Sequence, residues 1–225
     1  MADRLQEALS TLQVRFGGAA PRPLQAPPHP VRPSGIAELD ELTGIGGWPV
    51  GKLSLLNGSP GSGKRTIAQL TAAQATRESA VAYIDFPAQL DPLFLSRMGA
   101  DLDQLFIVRP KTLREGIDSA ITLARSGADL VCLDFGSSPA GSGLDGELPV
   151  FVHRAAEAAC TALLINDAEP VEALRYYASL IVGVQRREWI LGPEGDLAGI
   201  EVEALAVKNR LASPGRRALL RLTYQ

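Results

Sequence analysis

Two hydrophobic periods alternate along the chain. Near-continuous apolar runs occur at 52–57, 81–85, 105–108, 130–134, 162–166 and 180–184. Runs of that length, rich in Val, Ile and Leu, predict strands buried on both faces. Between them lie stretches with helical spacing: a short helix at Ile36, Leu39 and Leu42, one from the loop after residue 57 to about Arg77, and others at 91–98, 112–126 and 149–160. A further turn of helix precedes 180. Strand–helix alternation of this kind predicts an α/β fold, a mainly parallel twisted sheet with helices on both faces. Two last strands, about 199–208 and 217–224, flank a turn at Pro214-Gly215 and predict an antiparallel hairpin closing the sheet.

The first 34 residues are organised differently. Leu5, Ala8, Leu9, Leu12 and Phe16 form one apolar stripe on a helix over 3–16, and Gly17-Gly18 stops it. Prolines at 21, 23, 27, 28, 30 and 33 exclude a helix and predict an extended tether, in which His29 is solvated. The expected division is a helix over 1–17, a Pro-rich linker over 18–34 and a core domain over 35–225. The stripe must be buried either on its own domain or on a neighbouring subunit.

The first strand of the core runs into Gly58-Ser59-Pro60-Gly61-Ser62-Gly63-Lys64, and a helix follows. Gly-x4-Gly-Lys at a strand-to-helix turn is the spacing of a phosphate-binding loop. Glycines let backbone N–H groups turn toward a phosphate, the helix N-terminus adds positive potential, and Lys64 supplies a point charge. The residue after the lysine should offer a hydroxyl to Mg²⁺. Here it is Arg65, and the hydroxyl comes one place late, at Thr66. Asp134, ending a buried strand downstream, suits support of Mg²⁺ through its water shell, or a plain strand-end or capping role.

Composition narrows the reading. The 225 residues fit one α/β domain plus a small appendage, and 46 % apolar content suffices for a core. A net charge of −3 disfavours an autonomous grip on nucleic acid. Cys132 and Cys160 lie in apolar surroundings without metal-ligand spacing, as reduced core thiols do. No signal peptide or membrane-spanning run is legible, so the expected location is cytoplasmic.

From the first helix to the last strand, the chain resembles the RecA family of bacterial recombinases. The resemblance is carried by residues 5–17, 36–49, the phosphate loop, Tyr83-Ile84-Asp85, Leu90-Asp91-Pro92, residues 98–103, the strand ending at Asp134, Ile165-Asn166, residues 176–179 and Val207-Lys208-Asn209-Arg210. It implies a RecA-type ATP-binding core and a leading helix, through Leu5, Leu9, Leu12 and Phe16, that docks on a neighbour. It implies ATP or ADP held by residues 58–66, with Asp91 and Phe94 at the adenine and Lys208 with Arg210 reaching a neighbour's nucleotide.

Departures from the family's pattern are equally specific. Pro87 stands where the family has its glutamate general base, Arg65 where it has the Mg²⁺ hydroxyl, and Asp167 where a glutamine senses the γ-phosphate. A carboxylate at 167 repels phosphate unless paired. Both DNA-binding loops are shortened. With these losses the chain is similar to the RecA-like accessory proteins of bacterial mutasomes, the ImuA group, and to SulA-type cell-division inhibitors. That resemblance implies an adaptor in SOS-induced translesion synthesis. It would dock on RecA or an ImuB-like Y-family polymerase homologue, near the nucleoid, with weak or indirect DNA contact, an impaired ATPase and no firm role for Mg²⁺. Homo-oligomerisation is compatible with the docking helix. The alternatives are a diverged DNA-dependent ATPase or recombinase of the RecA family, a SulA-type cell-division inhibitor, and a nucleotide binder without turnover in which the Arg65 guanidinium replaces the metal's charge.

Overall fold

The computed structural model describes residues 2–17, 28–136, 144–167, 169–170 and 172–224. An N-terminal helix, α1 (Ala2–Phe16), precedes the core. Strand β1 (Val31–Arg32) pairs antiparallel with β2 (Trp48–Pro49), and α2 (Ala37–Thr43) lies between them. Then follow β3 (Leu53–Asn57), α3 (Lys64–Thr76), β4 (Val81–Asp85), α4 (Pro92–Arg97), β5 (Leu105–Val108), α5 (Leu113–Arg125) and β6 (Leu130–Asp134). The chain continues through α6 (Leu144–Glu157), β7 (Thr161–Asn166), α7 (Glu172–Tyr177), β8 (Leu180–Leu191), β9 (Leu197–Asn209) and β10 (Arg217–Thr223).

The main sheet has eight strands in the order β10-β9-β8-β3-β7-β6-β4-β5. Strands β8, β3, β7, β6, β4 and β5 are mutually parallel, and β9 and β10 add antiparallel. Two cores flank it because successive strand residues face opposite sides. Val81 and Tyr83 of β4 join one core with Ile67, Ala68 and Ala72 of α3. Ala82 and Ile84 join the other with Ile117 of α5, Phe151 of α6 and Leu174 of α7. All the parallel strands thus end on one carboxyl edge, where ligand crevices form in open α/β sheets.

Several expectations are corrected. Strand β8 does not stop at Val184: it runs twelve residues to Leu191 and pairs antiparallel with β9, so the terminal unit has three strands. Its second half opens with the exposed polar run Gln185-Arg186-Arg187-Glu188, which interrupts the apolar pattern before Trp189-Ile190-Leu191. Helix α6 starts at Leu144, not at Pro149, because Leu144, Leu148, Phe151 and Ala155 form one buried stripe. Of the polar segment 136–147, residues 137–143 lie outside the described residues. His29 is not simply solvated: its Nε2 meets the Val50 carbonyl at 3.0 Å, and Val50 N–H donates to Pro30 O at 2.9 Å.

Candidate functional site

Strand β3 delivers the chain to the loop at 58–63, and α3 leaves it at Lys64. Two glycines there are fixed by packing. A Cβ on Gly58 would lie 2.3 Å from Val184 O. Gly63 has φ +94°, and a Cβ there would lie 2.8 Å from Ile200 Cδ1 and 2.9 Å from Val202 Cγ1. The loop is closed by Ser62 N–H donating to Ser59 O at 3.1 Å.

Four charges converge over this loop. Lys64 Nζ donates to Ser59 O at 2.9 Å and pairs with the Asp167 carboxylate. Arg65 Nε donates to Asp134 Oδ2 at 2.7 Å, and its terminal nitrogen to Asp167 Oδ2 at 2.8 Å. The side chains of Lys64, Asp134 and Asp167 are almost wholly buried, while Arg65 keeps 21 % exposure. Asp134 Oδ1 also accepts from Gly136 N–H at 2.9 Å.

The ionisation of the set follows from this geometry. Burial would raise the Asp167 carboxyl, but hydrogen bonds from Lys64 and Arg65 outweigh it and hold it below the usual carboxylate range. Burial dominates at Asp134 and pushes its carboxyl up against the opposing pull of Arg65. At Lys64 burial likewise outweighs Asp167 and lowers the ammonium. Arg65 is raised: burial opposes its charge, and the two aspartates overcome that.

The neighbouring strand end is also occupied. Asp85 lies beside Asp134 in register, and its oxygens accept from Gln89 and Leu90 N–H at 3.0 Å each. These bonds brace the turn holding Pro87, whose ring packs beside Gly136. A cleft of about 170 Å³ opens next to the loop, lined by Gly61, Gly63, Lys64, Arg65, Thr66, Trp189, Ile200 and Tyr224. Arg186 lies over the Trp189 ring at 4.2 Å. Phe94 meets the Tyr224 ring edge-on at 6.2 Å, and the Asp91 side chain caps α4 by accepting from Leu93 N–H at 2.9 Å.

The basic pair lies elsewhere. Lys208 Nζ donates to the carbonyls of Arg175 and Tyr176, and Arg210 donates to Tyr176 O at 2.8 Å. Both cations therefore hold the C-terminal carbonyls of α7, a favourable place for positive charge. On α1, Leu9 and Leu12 are half-buried, while Val14 and Phe16 are exposed; the Leu5 side chain lies outside the described residues.

A sequence model of the RecA N-terminal domain matches residues 3–149. The chain belongs to the RecA family. The RecA protein of Thermus thermophilus is 28 % identical over 98 % of this chain and 75 % of its own length. That of Acidothermus cellulolyticus is 31 % identical over 94 % of this chain and 69 % of its own. Among solved structures, the RadB recombinase superposes with a TM-score of 0.70 at 22 % identity, covering 86 % of this chain and 97 % of that one, a likeness of fold.

RecA-family membership raises the question of ATP and Mg²⁺. The residues do not fit the metal. Arg65 places a cation where a hydroxyl ligand is needed, and both Asp134 oxygens already accept hydrogen bonds. Among the described residues no cluster of three or more His, Cys, Asp or Glu could hold a metal. A phosphate fits Lys64 and the loop N–H groups only where Asp167 gives way. Sequence reasoning missed Arg186, Trp189 and Tyr224. The bulge between Arg186 and Glu188 breaks the period-2 alternation that could have placed the first two on the site's side.

Proposed function

We propose that this RecA-family protein is an accessory factor of the DNA-damage response that works by docking rather than by turning over ATP. It would serve SOS-induced translesion synthesis, with a recombinase filament or a Y-family polymerase homologue as partner. The observation that carries this reading is the closed network of Lys64, Arg65, Asp134 and Asp167 over the phosphate loop. It ties up the groups that a hydrolytic site needs for the phosphate and the metal. Pro87, at the family's general-base position, can neither accept nor relay a proton, a loss worth roughly 10²–10⁴ in rate. The part-exposed stripe of α1, ending in the exposed Phe16, supports docking through the leading helix.

The test has two arms. Size-exclusion with RecA or the polymerase homologue should show a complex with the full chain and none after removal of residues 1–33. Equal binding by the shortened chain removes the docking role. In the second arm, phosphate release stimulated by single-stranded DNA and abolished by Lys64→Ala would make the protein a diverged ATPase instead.

A further inference from the structure

The network contains more than an explanation for lost turnover. Strands β3 and β7 are adjacent and in register, with Asn57 opposite Asn166. Asn166 Nδ2 donates to Asn57 Oδ1 at 3.2 Å, so the two strand ends are locked together. The residue after Asn166 is therefore set beside the start of the phosphate loop. Asp167 N–H donates to Gly136 O at 3.0 Å, which fixes its backbone from the next strand over. Its carboxylate then reaches both Lys64 and Arg65 and is only 4 % exposed. An anion has been built into the place where Lys64 would meet a ligand's phosphate.

The charges balance within this set: two cations, Lys64 and Arg65, against two carboxylates, Asp134 and Asp167. Resting on the non-catalytic reading above, we propose that Asp167 is the phosphate loop's resident anion, and that the loop admits only a metal-free polyphosphate able to displace it. Arg65, anchored on Asp134, supplies the positive charge that a metal would otherwise bring. A magnesium-complexed ligand gains nothing there, since its metal would face a guanidinium. A bare triphosphate meets the buried Lys64 and the half-buried Arg65 as soon as the carboxylate leaves.

Removing the charge at position 167 should therefore create affinity. The probes are ATP and inorganic tripolyphosphate, titrated calorimetrically into the full chain in EDTA and in magnesium. Asp167→Asn should bind both in EDTA about tenfold or more tighter than the unsubstituted chain, the effect of freeing charge-assisted hydrogen bonds. Magnesium should not strengthen binding, and adding Lys64→Ala should abolish it. Asp167→Gln keeps a carbonyl acceptor for Lys64 and Arg65 and gives a second folded variant should Asn disturb the fold. Folded variants that bind no tighter than the unsubstituted chain, or only with magnesium, overturn the proposal. ATP turnover by the unsubstituted chain would sink the accessory reading instead, so the two failures are distinguishable.

Discussion

Replacing Arg65 by alanine isolates the contact on which the site depends. The guanidinium makes bonds of 2.7 Å to Asp134 and 2.8 Å to Asp167. Asp134 is 1 % exposed, and without Arg65 its carboxylate keeps only the Gly136 N–H among the partners described here. Removing one partner of a buried pair costs about 3–5 kcal/mol, and the partial exposure of Arg65 puts this case near 3. For a chain of this size that is a fall in Tm of roughly 6–12 °C. The sign with pH is fixed by Asp134. Burial already raises its carboxyl in the fold, and losing Arg65 raises it further. A carboxyl raised in the folded state stabilises below its unfolded pKa and loses that contribution as pH rises through the folded pKa. The variant's deficit should therefore be largest at neutral pH and shrink on acidification. Urea denaturation near pH 7.5 and near pH 5.5, within a cycle with Asp134→Asn, measures both the loss and the coupling. A loss below about 1 kcal/mol, flat with pH, would mean that the pair behaves as an exposed one and that the network is not a structural unit.

Two further outcomes concern the core around the site. Gly63→Ala should destabilise the fold by about 1–3 kcal/mol, because its φ excludes a side chain and Ile200 and Val202 leave no room. Thermal melting should show the loss with or without ATP; an unchanged Tm would mean that the glycine serves a ligand alone. Cys132 and Cys160 are buried, free thiols, and burial pushes Cys160 up to about 12 and Cys132 higher still. Neither should react with an aromatic disulfide reagent near pH 8 in the native protein, and both should react in denaturant; native labelling of either would contradict their burial.

Much of the scaffold was legible in the chain itself. Apolar runs marked β3, β4, β6 and β7 because a strand covered on both faces has no polar side to confuse the pattern. Gly-x4-Gly-Lys marked the turn between β3 and α3 because its glycines and lysine stand at a fixed local spacing. The second half of β8 was not legible. It is exposed, bulged at Arg187 and held by hairpin pairing with β9 rather than by burial in a core. The start of α6 was hidden by Pro149, which suggests a first turn but lies inside the helix.

Arg65, Pro87 and Asp167 were visible in the sequence as departures from the family's pattern around a phosphate loop. Whether Asp167 would repel a ligand or pair with the chain's own cations was not decidable from the sequence, since Arg65 and Asp167 are 102 positions apart. The same holds for Lys208 and Arg210, whose partners are carbonyls of α7. Strand and loop identity follow from local hydrophobic spacing, which the chain writes out directly. Charge pairing depends on which strand ends become neighbours, and only the packed sheet, with β7 set beside β3, decides that.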